Sequence, residues 1–241
     1  MEHPSSQSLF AQLRSACISQ WHAFTHHRFV AALADGSLPE PAFRNYLIQD
    51  YRFLVHFARA YGLAAFKSEA ISDLRAASAG LMALIDQEMP LHVELCATWG
   101  LSSDDLDAAE ETETTLAYTR YVLERGLAGT LLDLQVALAP CIVGYAEIGQ
   151  RLIEAPQTGL TGHPYRRWIE TYGHPDYQEV ASGHIRHLDV LMQRQGSASR
   201  MPVLIRTFSD ATRLEAAFWE TSLHASVDRL PGPATTSGTG R

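Results

Sequence analysis

Apolar residues recur along most of the chain at spacings of three and four, the period of an amphipathic helix. The alternation expected of a half-buried strand is almost absent. The pattern predicts long helices over Pro41–Phe66, Leu74–Trp99, Thr114–Arg125, Thr130–Ala155, Pro175–Gln195 and Met201–Val227. Shorter ones are expected near Leu9–His22, His27–Asp35, Asp104–Ala109 and Pro164–Thr171. Pro39-Glu40-Pro41 reads as a helix start, and Gly36, Gly100, Gly126, Gly173 and Gly196 fall where C-caps belong. Asp35-Gly36 follows a helical pattern and marks a helix end rather than a hairpin. The connections are short, and no repeat is visible. The expected fold is therefore all-α: a single-domain helical bundle over residues 1–230, followed by a low-complexity tail, 231–241, with no packing role.

Writing out the buried stripe of each helix exposes polar residues on apolar seams. One stripe reads Phe43, Leu47, Asp50, Leu54, Phe57, Tyr61, with Asp50 at its centre. The next reads Leu74, Leu81, Leu84, Glu88, Leu91, Leu95, and the last Leu204, Phe208, Ala211, Glu215, Phe218. Each carries one acid where leucine would be cheaper to bury. A buried carboxylate needs a partner or a proton. Acids on several helices converging inside one bundle therefore point to a shared polar pocket, and perturbed carboxyls gather at functional sites.

The stripe from Thr130 onward reads Leu131, Leu134, Leu138, Cys141, Tyr145, Ile148, Leu152. A cysteine on such a seam is ordinarily a small core residue. Here Pro140 precedes it within the helical pattern, where loss of an N–H predicts a kink. Tyr145 follows one turn later, so thiol and hydroxyl can line one cavity. A thiol becomes a nucleophile when a base or a lowered pKa activates it. Cys17 and Cys96 lack such company and read as core.

Composition narrows the function classes. The 241 residues carry 19 Lys+Arg and 27 Asp+Glu, a formal charge of −8, with 46% apolar and 19% charged residues. This is globular composition, without the basic footprint that nucleic acid or an anionic membrane surface requires. The longest nearly uncharged run, Val136–Ala146, is too short to span a bilayer. Three scattered cysteines and no secretory pattern at the N-terminus predict a reduced, cytoplasmic protein. The 11 histidines invite a metal reading: Glu88 with His92 and His184 with His187 lie at helical spacing, but no Glu-x-x-His of the di-iron type occurs. Nucleotide-loop and serine-elbow motifs are also absent.

These segments resemble the thiaminase II (TenA) family over about Leu9 to Leu223. The resemblance is carried by His27-Arg-Phe-Val30, Asp35-Gly-Ser-Leu38, Phe43-Arg-Asn-Tyr46, Gln49-Asp50-Tyr-Arg-Phe53 and Glu88-Met-Pro-Leu-His92. Ala117-Tyr118, Pro140-Cys141 through Tyr145-Ala-Glu-Ile-Gly149, Gly162-His-Pro-Tyr-Arg-Arg-Trp-Ile-Glu-Thr-Tyr172 and Glu215-Ala-Ala-Phe-Trp219 complete it. It implies a haem-oxygenase-like helical fold without haem, no metal or organic cofactor, and a homotetramer. It also implies hydrolysis of 4-amino-2-methylpyrimidines at the 5-methylene, releasing ammonia from the aminomethyl compound and acting more slowly on thiamin. By the same resemblance Cys141 is the nucleophile, Glu215 the general acid, and Asp50 the group that reads the aminopyrimidine edge. Phe53, Tyr118, Tyr145 and Tyr172 hold the ring. Ile142, Val143 and Gly144 depart from the bulky aromatics of some members, and Gly144 is expected to enlarge the pocket for a different leaving group. The alternatives are a metal-dependent oxidase using Glu88, His92, His184 and Glu215, and a non-catalytic pyrimidine-binding regulator.

Overall fold

Side-chain caps start many of the helices. Ser8 accepts the Ala11 N–H, Thr112 that of Thr115, and Ser102 with Asp105 and Thr130 with Asp133 form reciprocal capping boxes. His27 caps in the same way: its Nδ1 accepts the Phe29 N–H at 3.2 Å. A computed structural model describes residues 7–155 and 158–224. Its helices are α1 (Leu9–Ala16), α2 (Ile18–Thr25), α3 (Arg28–Ala34), α4 (Glu40–Lys67), α5 (Ile71–Ala83), α6 (Met89–Ala97) and α7 (Ser103–Ala108). They continue as α8 (Glu113–Ala128), α9 (Leu131–Glu154), α10 (Arg166–Gly173), α11 (Pro175–Gln195) and α12 (Met201–Leu223). A π-helical turn, Leu84–Glu88, joins α5 to α6, and no strand occurs among the described residues. The expected tail, 231–241, lies outside the described residues.

The departures from the sequence reading have local causes. The first predicted helix divides at Cys17 into α1 and α2. Gly36 and Gly100 end helices with φ of +75° and +76°, but Gly126 stays inside α8 and Gly173 is the last residue of α10. α9 is one continuous helix through Pro140, as the single predicted segment Thr130–Ala155 has it. The predicted Leu74–Trp99 helix is interrupted by the π turn. The wider turn inserts a residue and rotates everything after it, so no single stripe runs through. Leu84 and Leu91 are buried as expected, whereas Leu74 is 38% exposed.

α9 is the axis of the bundle. It packs on α8, α10, α11 and α12, and also touches α2 and α4. Its apolar window is 94% buried inside the protein, which makes it a core helix despite a length and hydropathy that could cross a membrane. Two glycines permit its closest approaches. A Cβ at Gly144 would lie 2.1 Å from the Phe24 ring, so this position admits α2 instead of enlarging the pocket, which corrects the expectation from sequence. A Cβ at Gly149 would lie 2.4 Å from the Tyr172 carbonyl carbon and 2.5 Å from the Gly173 nitrogen. That crossing brings α10 and its Tyr172 against the middle of the bundle.

The buried apolar residues form one contiguous cluster. α5 is the weakly embedded element: only Asp73 and Ala77 are buried along it, while Ile71 and Met82 are 63% and 54% exposed. Asp73 nevertheless ties α5 to α11 through Arg194, at 2.9 and 2.8 Å, and His187 at 3.1 Å. Backbone cannot yield at the α9–α10 crossing as a side chain can. Gly149→Ala is therefore expected to cost about 1–3 kcal/mol of stability, the usual penalty of overpacking, read as a lower urea midpoint; an unchanged midpoint would contradict the close packing described.

Candidate active site

The acids singled out on separate seams meet in the core. Asp50 of α4 is 4% exposed, and its Oδ2 accepts hydrogen bonds from the Tyr46 hydroxyl at 2.8 Å and from His92 Nε2 at 2.7 Å. The other ring nitrogen of His92 faces the Glu88 carbonyl oxygen at 2.9 Å. Carbonyl and carboxylate are both acceptors, so both ring nitrogens donate and the imidazole is cationic. Burial alone would lower the His92 pKa, but the hydrogen bond and charge of Asp50 outweigh it and hold the value above the ordinary one. Trp168 Nε1 donates to the Tyr46 hydroxyl at 3.1 Å, extending the chain of hydrogen bonds to α10.

Glu215 of α12 is 2% exposed and accepts from the Tyr118 hydroxyl of α8 at 2.8 Å. Desolvation raises its pKa to about 8, against the opposing hydrogen bonds of Tyr118 and Cys141. The Cys141 thiol is pushed well up, first by burial and then by the charges of Glu215, Glu88 and Asp50. Thiol and acid therefore both hold their protons at neutral pH. Glu88, on the π turn, accepts from the Tyr172 hydroxyl at 2.8 Å, and desolvation raises it to about 7.

A cavity of about 730 Å³ opens from the surface onto this cluster. Cys141, Ile142, Glu88, Tyr61 and Tyr177 line it, with the small residues Ala76, Ala79, Gly80 and Ala83 of α5 opposite. Cys141 is thus the one expected site residue in the cavity wall. Asp50, Phe53, Tyr118, Tyr145, Tyr172 and Glu215 are buried in the adjoining cluster of rings and acids. Phe53 packs on Tyr118 with ring centroids 4.8 Å apart, and Tyr145 on Tyr172 at 5.0 Å. Cys17 and Cys96 are core residues, 3% and 0% exposed. The donors of the oxidase alternative are not gathered: His184 Nε2 meets the Gln135 carbonyl at 3.0 Å, and both His92 nitrogens are committed. Among the described residues, no three His, Cys, Asp or Glu side chains form a cluster suited to a metal ion.

The description TENA/THI-4/PQQC family fits residues 15–225. The chain belongs to that family. An aminopyrimidine aminohydrolase of Halalkalibacterium halodurans is 36% identical over 202 residues, 83% of this chain and 88% of that one. A solved structure described as a TenA family transcription regulator, from Silicibacter sp. TM1040, is 44% identical with a TM-score of 0.82, covering 90% of this chain and 96% of that one. A domain of unknown function with a heme oxygenase-like fold from Shewanella denitrificans, 12% identical, gives a TM-score of 0.68 over 90% of this chain and 93% of its own. The fold is therefore the haem-oxygenase-like helical bundle expected from the sequence.

Several site residues of this family member escape a reading of single helices. Tyr46 precedes Asp50 by one turn, a spacing that could have flagged it as a partner. Tyr61 ended the same stripe and passed as core. Trp168 and Tyr177 carry no local signal, because α10 and α11 meet the cluster only through the tertiary fold.

The raised carboxyls make a stability prediction. Glu215 binds its proton more tightly folded, at about 8, than at its ordinary 4.5. Folded protein thus holds more protons than unfolded between those values, and stability falls as pH rises through that window. Glu215→Gln removes this contribution. Its stability relative to wild type should rise from pH 5 to 8.5 by on the order of a few kcal/mol, at about 1.4 kcal/mol per tenfold difference in proton affinity. Denaturant titrations of ligand-free protein at both pH values read it; a pH-independent difference would show that Glu215 is ionised when buried.

Proposed function

We propose that the chain is an aminopyrimidine aminohydrolase of thiamin salvage, cleaving the 5-methylene substituent of 4-amino-2-methylpyrimidines through Cys141. The observation that carries this reading is the Cys141 thiol in the cavity wall, set against the buried cluster that holds Glu215 with Tyr118 and Asp50 with His92. The name of the Halalkalibacterium relative points the same way.

In this reading Asp50 recognises the aminopyrimidine edge. Both of its hydrogen bonds among the described residues fall on Oδ2, which leaves Oδ1 for the ligand. The ring reaches it as the surrounding aromatic side chains rotate on binding, a common response in pockets of this kind. Sulfur bonds to an electron-poor ring carbon, and the thiol proton passes to the adjacent ring nitrogen. Electron density of the dearomatised ring then expels the amine: the methylene C–N bond breaks, and Glu215 supplies the proton with which the amine leaves as ammonia. Water adds to the exocyclic methylene carbon and returns a proton to Glu215. Loss of the thiol, recovering its proton from the ring, restores aromaticity. The sum is amine plus water giving alcohol plus ammonia, with no oxidation.

The electrostatics favour such a ligand. Every ionisable group of the inner cluster except His92 is an acid, so an amine or protonated ring is attracted and lowers the proton affinity of the thiol it meets. The homo-oligomer and cytoplasmic location expected from sequence belong to the same proposal.

The decisive measurement is ammonia release from 4-amino-5-aminomethyl-2-methylpyrimidine, beside thiamin. Wild type should turn over the aminomethyl compound faster. Cys141→Ser should lose at least about a thousandfold in kcat while keeping ligand affinity within a few fold, as expected when a nucleophile and not a binding group is removed. Substantial turnover by Cys141→Ser would remove the thiol from the reaction. Pyrimidine binding by wild type with no ammonia released would favour the regulatory reading.

A further inference from the structure

Glu88 has a disposition that the reaction outlined above does not use. Its Oε1 accepts from Tyr172, while Oε2 has no hydrogen-bond partner among the described residues and the side chain lines the cavity beside Cys141. Two tyrosine rings, Tyr61 of α4 and Tyr177 of α11, line the same part of the wall. All four groups, Glu88, Cys141, Tyr61 and Tyr177, line the one cavity. The basic residues of the wall are otherwise engaged: Arg167 pairs with Glu94, His174 with Asp176, His187 with Asp73, and His184 meets the Gln135 carbonyl. His92 is committed to Asp50 and to the Glu88 carbonyl oxygen. The π turn explains how Glu88 came here, since its extra residue carries the side chain off the apolar stripe and into the cavity.

A carboxylate oxygen without a protein donor, in a cavity wall that also carries tyrosine rings, is an arrangement that can hold an alkylammonium by charge-assisted hydrogen bonding and cation–π attraction. We propose that Glu88, with Tyr61 and Tyr177, forms an ammonium subsite that selects the substituent on the 5-methylene of the substrate. This rests on the aminopyrimidine reading. It adds a division of labour: Asp50 and Glu215 act on the ring and on the bond that breaks, whereas Glu88 discriminates a primary amine, bound as its ammonium and passing that extra proton to the Glu88 carboxylate before the C–N bond breaks, from a neutral hydroxyl at the same carbon. It also assigns the subsite to the cavity side of Cys141, so that the released amine departs outward along the cavity.

The test is calorimetric binding of the aminomethyl pyrimidine and its hydroxymethyl counterpart in a Cys141→Ser background, where turnover does not intrude. The parent should prefer the amine by tenfold or more. Adding Glu88→Gln should cut that preference by about 10- to 100-fold, the range for a hydrogen bond to a charged group, and leave hydroxymethyl affinity within about threefold. Glu88→Asp keeps the charge and should retain part of the preference, and Tyr61→Leu should erode it by a few fold. Equal weakening of both ligands by Glu88→Gln, or an unchanged preference, overturns the subsite. Ammonia release by wild type is measured in parallel. Turnover with a preference indifferent to Glu88 sinks the subsite alone, while a Glu88-dependent preference without turnover sinks the hydrolase reading alone.

Discussion

The organising constraint of this molecule is the burial of three carboxyls and a thiol among aromatic rings with a single histidine to balance them. Charges in such a medium are costly, and unpaired ones are expelled or neutralised. Here each is handled differently. Asp50 stays with a cationic His92 and a tyrosine donor. Glu215 keeps its proton, as does the thiol beside it. Glu88, open to the cavity on one side, is poised near neutrality. The empty site thus carries little net charge at neutral pH, yet it can gain negative charge by releasing protons. A cation entering the cavity would draw on that reserve.

Holding such groups requires walls that do not give. α9 supplies the rigid side: its window is almost wholly buried, and the glycine contact with α10 sets Tyr172 against the cluster. The hydrogen-bonded sequence Trp168, Tyr46, Asp50, His92 links α10, α4 and α6 through polar atoms that each need their neighbour. The opposite wall is built otherwise. α5 presents small residues to the cavity, buries little, and is clasped to α11 through Asp73. The acids and the thiol sit on the well-packed side and the small residues of α5 on the lightly packed one, the distribution of local stability expected of a binding cleft.

What could be read in advance follows from which effects are local. Helix periodicity is local, and the long helices sit close to where their spacing places them. So is the cost of burying an acid: Asp50 and Glu215 stand out as wrong residues on right stripes, and Glu88 as an acid on a stripe that the π turn breaks. The failures arise where backbone geometry or a distant element decides. Nothing in Leu84–Glu88 announces a π turn, so the stripe through it was drawn too far and Leu74 was assigned to the core. Gly144 was read as room for a ligand, because only the fold reveals that α2 brings Phe24 there. His27 behaved as its position suggests, bonding the adjacent backbone. Tyr177 and Trp168 could not be found, since their relation to the acids depends on how α10 and α11 fold back over α9.

Thiolate is the reactive form of a cysteine, and this thiol holds its proton. A ligand that carries positive charge changes that balance. A thiolate standing permanently in an accessible cavity would be exposed to oxidation, whose first step also needs thiolate character. Burial suppresses it first, and the neighbouring acids add to the effect. A heterocycle that brings its own positive charge, or can accept the thiol's proton on a ring nitrogen, removes the suppression where reaction is wanted. Under the proposed function, reactivity is switched on by the substrate's charge, and the acids beside the thiol become the source of selectivity for a basic ring.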